Sequence, residues 1–152
     1  GRESEVLAEI VAATGLAVSD APGAGALGKA RSAFGFAPRK WLVIDQEEDV
    51  GAGLAAAIAA ETGAVTDLSH GRTVIRVSGP RVEWVLSKIF AIDFSAGAFP
   101  LAAGRSTSHH ETFAQIQRTD ERQFDIVVFR SFTRSFWKTL GHLAEDCGYE
   151  IV

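Results

Sequence analysis

The stretch that decides the fold is Val65–Phe94, VTDLSHGRTVIRVSGPRVEWVLSKIFAIDF. Thr73, Ile75 and Val77 alternate with Val74, Arg76 and Ser78, the period of a strand with one face buried. Ser78-Gly79-Pro80 then turns the chain. Pro80 suits the first turn of a helix, where its missing N–H is no loss, and Ser78 or Gly79 is the expected cap. Val82, Val85, Leu86 and Ile89 follow at i, i+3, i+4 and i+7, so one side of that helix must bury. A strand running straight into an amphipathic helix is the corner of an α/β layer.

Outward from this corner, Val6, Leu7, Ile10 and Val11 have helical spacing, with Gly15 as a stop. The glycine- and proline-rich run Gly15–Arg39 reads as a loose arm. Trp41–Ile44 reads as a central strand and Leu54–Ala60 as a short helix closed by Gly63. Ser95–Ser108 reads as irregular, anchored by Phe99-Pro100. His109–Arg118 and Phe124–Arg130 form an expected hairpin with a four- or five-residue loop around Asp120-Glu121. Ser131 is placed to cap a helix to Cys147 carrying Phe132, Phe136, Leu140 and Leu143, and Tyr149–Val152 closes as a last strand. The resulting order, β-α-β-α-β-β-α-β with antiparallel pairing, predicts an α+β fold. The expected organisation is one domain over residues 1–152, with a helix and arm over 1–36 and a core over 37–152.

Composition narrows the function classes. The chain has 152 residues, 47% of them hydrophobic and 22% charged, with a net charge of −4. That is globular composition, and without a basic run it weighs against nucleic acid as a partner. Apolar runs fall far short of the ~20 residues that span a bilayer, and no signal peptide opens the chain. The single cysteine, Cys147, leaves no internal disulfide and suits a reducing cytoplasm.

Several motifs invite chemistry. Gly23-Ala-Gly25-Ala-Leu-Gly28-Lys29 satisfies G-x-G-x-x-G and nearly the phosphate loop. However, Ala30 stands where a Mg²⁺-binding hydroxyl belongs, and Asp20 and Pro22 precede it in place of a strand. It reads as a glycine loop. His109-His110-Glu111, with His70 and His142, suggests a metal, but adjacent histidines on a strand point to opposite faces and no i, i+4 pair exists. Ser69-His70 lacks a nucleophile elbow, and Cys147 sits near a helix C-terminus, where the dipole opposes a thiolate. Asp67 and Asp93 could move protons, yet with no partner group in view they read as turn-holding carboxylates. No catalytic, cofactor-binding or metal-binding residue is therefore assigned. Trp41, Trp84 and Trp137 are the aromatics expected to face a partner, with at least one of them buried in the core.

A family resemblance adds to this reading. Residues 35–148 resemble the gamma subunit of heterotetrameric sarcosine oxidase. The residues that carry the likeness are Pro38-Arg-Lys-Trp41-Leu-Val, Val65-Thr-Asp-Leu-Ser69 and Val77-Ser-Gly-Pro-Arg81 with Val85-Leu86. Further matches are Asp93-Phe94, Phe99-Pro100, and Phe124-Asp-Ile-Val-Val-Phe-Arg-Ser-Phe132 with Trp137 and Leu140. Arg39-Lys40 stand where that family favours acids. The resemblance implies a fold like the folate-binding domain of the glycine-cleavage aminomethyltransferase, with ferredoxin-like βαββαβ units. It also implies a non-catalytic cytoplasmic accessory that packs on the larger subunits, alpha foremost and beta next. FAD, FMN, NAD and tetrahydrofolate would then sit on those subunits, in a complex that oxidatively demethylates sarcosine to glycine with oxygen. Catalytic aminomethyltransferases carry an Asn-Gly loop ending in Asp before the hairpin, where this chain reads Arg105-Ser-Thr-Ser-His-His-Glu-Thr112. Two alternatives stand beside this expectation: a free-standing folate-dependent aminomethyltransferase, and a gamma-like subunit of an N-methyl amino acid dehydrogenase.

Overall fold

The computed structural model describes residues 1–152 and divides the chain into two compact units. Unit 1 comprises Gly1–Leu68 with Ala102–Gly104, and unit 2 comprises Ser69–Leu101 with Arg105–Val152. Both are α+β with antiparallel pairing, as expected. No helix is long and apolar enough to cross a membrane.

In unit 1, helix α1 (Arg2–Thr14) begins with Glu3 and Glu5 in its first turn, where acids complement the helix dipole. It ends at Gly15, whose φ of 73° is left-handed and whose N–H donates to the Val11 carbonyl at 2.8 Å. Three strands follow as an antiparallel meander, β1 (Gly25–Leu27), β2 (Arg31–Ala37) and β3 (Lys40–Asp45). The expected loose arm over Gly15–Arg39 is thus corrected to two strands. Its alanines and glycines carry almost no hydrophobic period, so nothing in their pattern announced a sheet. Between β2 and β3, Pro38 supplies a fixed φ and Arg39 takes the left-handed position at φ 59°. Helix α2 (Val50–Ala57) starts four residues earlier than periodicity indicated. Ile10, Leu16, Val18, Ala33, Val50 and Leu54 form the core of this unit, with Val6, Trp41, Val43 and Ile58 packed around it.

Unit 2 is built on β4 (Arg72–Ser78), α3 (Val82–Ser87), β5 (Gly104–His109), β6 (Thr112–Asp120), β7 (Gln123–Phe129) and α4 (Thr133–Ala144). The first residue of β5, Gly104, groups with unit 1. The sheet order is β4-β7-β6-β5. The order along the chain, β-α-β-β-β-α, departs from βαββαβ because Ser106–Ser108, expected to be irregular, lie within β5 and because no strand follows α4. Register places Ile75, Ile126 and Ile116 in one row across three strands, and all three are buried. On the same face Phe94 and Phe99 stack at 5.8 Å, and Phe124 meets each edge-on at 5.4 Å. Helix α3 buries Val82, Val85 and Leu86, and α4 buries Phe136 and Leu140. Phe90 stacks on Phe136 at 5.9 Å.

Four local expectations differ here. The corner at Gly79 (φ 136°) is tied by its N–H to the Arg122 carbonyl, and Arg81 is the α3 cap, so Pro80 stands outside the helix. The β6–β7 loop is the two residues Glu121-Arg122, because Asp120 still pairs with Gln123 through a bulge. A 3-10 turn over Arg130–Phe132 precedes α4, making Phe132 the cap in place of Ser131. Tyr149–Val152 form no strand: they are exposed and pair with nothing in either sheet.

Candidate functional site

The glycine motif at Gly23–Lys29 is part of a sheet. Gly25–Leu27 pair with β2, the Ala24 N–H donates to the Ala21 carbonyl, and the Gly28 N–H donates to the Arg31 carbonyl at 2.8 Å. The Ala24 and Gly28 amides are thus engaged in the backbone's own bonds rather than gathered into a phosphate cradle.

The histidines are arranged otherwise than strand geometry predicts. His110 lies in the β5–β6 turn at φ 51°, and this reversal brings its ring to 4.3 Å from that of His109. The opposite-face expectation is therefore corrected: a turn residue does not obey strand alternation. His109 Nδ1 is 2.8 Å from the Ile89 carbonyl, which makes that nitrogen the protonated one. His70 is exposed, and His142 Nδ1 lies 3.5 Å from Glu145 on the surface. The four histidines thus do not converge.

The remaining candidates hold local structure. Asp93 accepts the Ser95 N–H at 2.9 Å, and its hydrogen bonds to Ser95 keep its carboxyl below the ordinary carboxylate range. Asp67 and Ser69 lie in exposed, irregular chain. Cys147 is half-buried and donates to the Ala144 carbonyl at 3.2 Å. Trp41 donates its indole N–H to the Ser19 carbonyl at 3.1 Å. Trp84 lies between Arg81 and Lys88, 4.1 and 3.5 Å from its ring, and Trp137 is exposed on α4.

Three charged clusters escaped the reading of the sequence. The first surrounds Arg31, which meets Asp45 at 3.2 Å, Glu47 at 2.9 Å and Asp49 at 2.6 Å. The three carboxylates lie close enough to hold a cation, and the guanidinium fills that place. Burial pushes the Asp45 carboxyl up, but the N–H groups of Val50, Glu47 and Asp49, with Arg31, outweigh it and hold it at about 2. By accepting the Asp49 and Val50 amides, Asp45 also starts α2, which accounts for the early onset of that helix. The second cluster is the Arg76–Asp125 fork, at 2.8 and 2.9 Å across β4 and β7. The third is Arg118, 2% exposed, which donates to the Glu121 and Phe94 carbonyls and to Glu83 at 2.7 Å and lies 4.6 Å from the Phe124 ring. A cross-strand pair 14 or 49 residues apart leaves no local signal. Only register brings such residues together.

The depressions at Glu3, Asp20, Pro38, Arg39 and Trp41, and at Ser78, Gly79 and residues 120–123, are shallow and open. Charged side chains that hold turns, strands and helix starts define this molecule as an α+β scaffold. The chain belongs to the sarcosine oxidase, gamma subunit family, whose pattern it matches over residues 3–146. It is 34% identical over 97 residues to the sarcosine oxidase subunit gamma of Corynebacterium sp. (strain P-1). That match covers 63% of this chain and 48% of the relative, so it spans about half the relative's length. Among solved structures, a chain of the heterotetrameric sarcosine oxidase from Corynebacterium sp. U-96, in complex with pyrrole 2-carboxylate, is similar with a TM-score of 0.80 and 25% identity. The match covers 97% of this chain and 77% of that one.

Proposed function

We propose that this chain is a non-catalytic accessory subunit of a cytoplasmic heterotetrameric sarcosine oxidase, an assembly that oxidatively demethylates sarcosine to glycine with tetrahydrofolate and oxygen. The observation that carries this reading is the structural agreement over nearly the whole chain with a chain of such an oxidase. In this reading FAD, FMN, NAD and tetrahydrofolate belong to the larger subunits, and this chain contributes contact surface. The turn-holding roles of Asp93, Asp45 and Cys147 support it, since each group is engaged in a local bond. The test is co-expression with the larger subunits of the same oxidase. The expected outcome is a stable complex with flavin absorbance and sarcosine oxidase activity, and neither property in the purified chain alone. Flavin retention by the isolated chain, or tetrahydrofolate binding to it by calorimetry, would overturn the accessory role.

A further inference from the structure

Aromatic area and positive charge coincide on unit 2 around Trp137 as well as at Trp84, and around Trp137 the cations lack carboxylate partners. Phe129–Lys138, FRSFTRSFWK, contains Arg130, Arg134 and Lys138 and no acid, in a chain whose net charge is −4. Arg134, Trp137 and Lys138 fall at i, i+3 and i+4 on one side of α4, and all three are exposed. Arg72 lies 3.7 Å over the Phe129 ring, and the Arg130 N–H donates to the Gly71 carbonyl, so both arginines stand at the same end of the sheet. Thr133 Oγ1 meets Thr73 Oγ1 at 2.8 Å, which sets the first turn of α4 against β4, an edge strand.

The charges here differ from the ion-paired cations of the molecule. Arg31, Arg39, Arg76, Lys88 and Arg118 each reach a carboxylate. Arg72, Arg130, Arg134 and Lys138 form no ion pair. Four cations without counter-charges, interleaved with Phe129 and Trp137, have the composition of an interface centre, which favours tryptophan and arginine.

We propose that the Arg72/Phe129–Lys138 surface docks an acidic polypeptide segment of a larger subunit, with an apolar side chain of that segment seated against Trp137. The proposal rests on the accessory-subunit reading above. Charge complementarity argues for it, because carboxylates from a partner would satisfy cations that the chain leaves unpaired. A polypeptide suits the surface better than a nucleic acid, since the chain as a whole is acidic and would repel a polyanion beyond this patch.

The test uses the co-expressed assembly, purified through a tag on a larger subunit. R130E/R134E/K138E together should lower the co-purified chain by about tenfold or more, and W137A by several-fold. R2E/K29E/K40E, a matched reversal of exposed cations in unit 1, should stay within about twofold. Circular dichroism melting of each free variant checks folding, and W137A supplies the answer if the triple reversal does not fold. Assembly unchanged by both the triple reversal and W137A would overturn the docking surface and leave the accessory role standing. Failure of the unaltered chain to assemble would overturn both. If the unaltered chain binds heparin and the triple reversal abolishes only that, the surface serves a polyanion and the proposal falls.

Discussion

The two units reach the same class of fold by different means. Unit 2 is assembled by large side chains at regular intervals: three isoleucines share a row, and Phe94, Phe99 and Phe124 close around one another. Unit 1 relies on the absence of a side chain. A Cβ on Gly104 would lie 1.9 Å from the Phe34 ring, and Phe34 is fully buried. The Gly104 N–H also donates to the Gly23 carbonyl at 2.9 Å. Where unit 2 fills space with aromatic volume, unit 1 brings backbone against a ring and fastens an exposed turn with charge. A core of large residues gives up stability as volume is removed, whereas a close-approach core does so as volume is added.

This contrast is open to direct attack. The largest expected effect is Phe124→Ala, which empties the centre of the aromatic cluster and should cost about 3–5 kcal/mol in denaturant unfolding. A loss under about 1 kcal/mol would mean that the ring geometry is not what holds unit 2. Gly104→Ala should cost about 3 kcal/mol by overpacking, although alanine is ordinarily a conservative change. Were that variant as stable as its parent, unit 1 would be an ordinary side-chain core and the comparison would fail. Asp45→Asn should cost about 1–2 kcal/mol at neutral pH, after allowance for solvent screening of a partly exposed pair. The sign with pH follows from the lowered carboxyl. Its folded value of about 2 lies below its ordinary 3.8, so its contribution is complete above about pH 4 and fades as pH falls through about 2. Acid titration of stability, parent against Asp45→Asn, should therefore converge at the acid end. Smallest is Trp137→Ala, expected within about 0.5 kcal/mol for the free chain, because that indole is 44% exposed. A larger loss would place Trp137 in the core of unit 2 rather than on its surface.

The legibility of the two units follows the same division. β4, α3, β7 and the buried stripe of α4 were readable because Ile75, Val85, Ile126, Phe136 and their neighbours repeat with strand or helix period. β1 and β2 were not readable, since alanine and glycine carry little hydrophobic contrast. The onset of α2 is illegible for another reason: the amides of its cap, Asp49, and of Val50 are held by the side chain of Asp45, outside the helix altogether. His110 shows how one left-handed residue cancels an argument from alternation. Among the candidate site residues, the turn-holding reading of Asp93 was available from its Asp-x-Ser spacing. The Arg31, Arg76 and Arg118 clusters were not, because their partners are distant along the chain.

By itself, then, the sequence determined the α+β class, the strand-to-helix corner around Gly79, the buried stripe of α4 and the family resemblance. Periodicity and turn chemistry are local, and each residue records them where it stands. The tertiary structure alone decided which cations are paired and which are left bare, that Phe34 requires a glycine at 104, and that Arg118 is buried. Those outcomes depend on register and packing between residues tens of positions apart, and no local pattern encodes such distances.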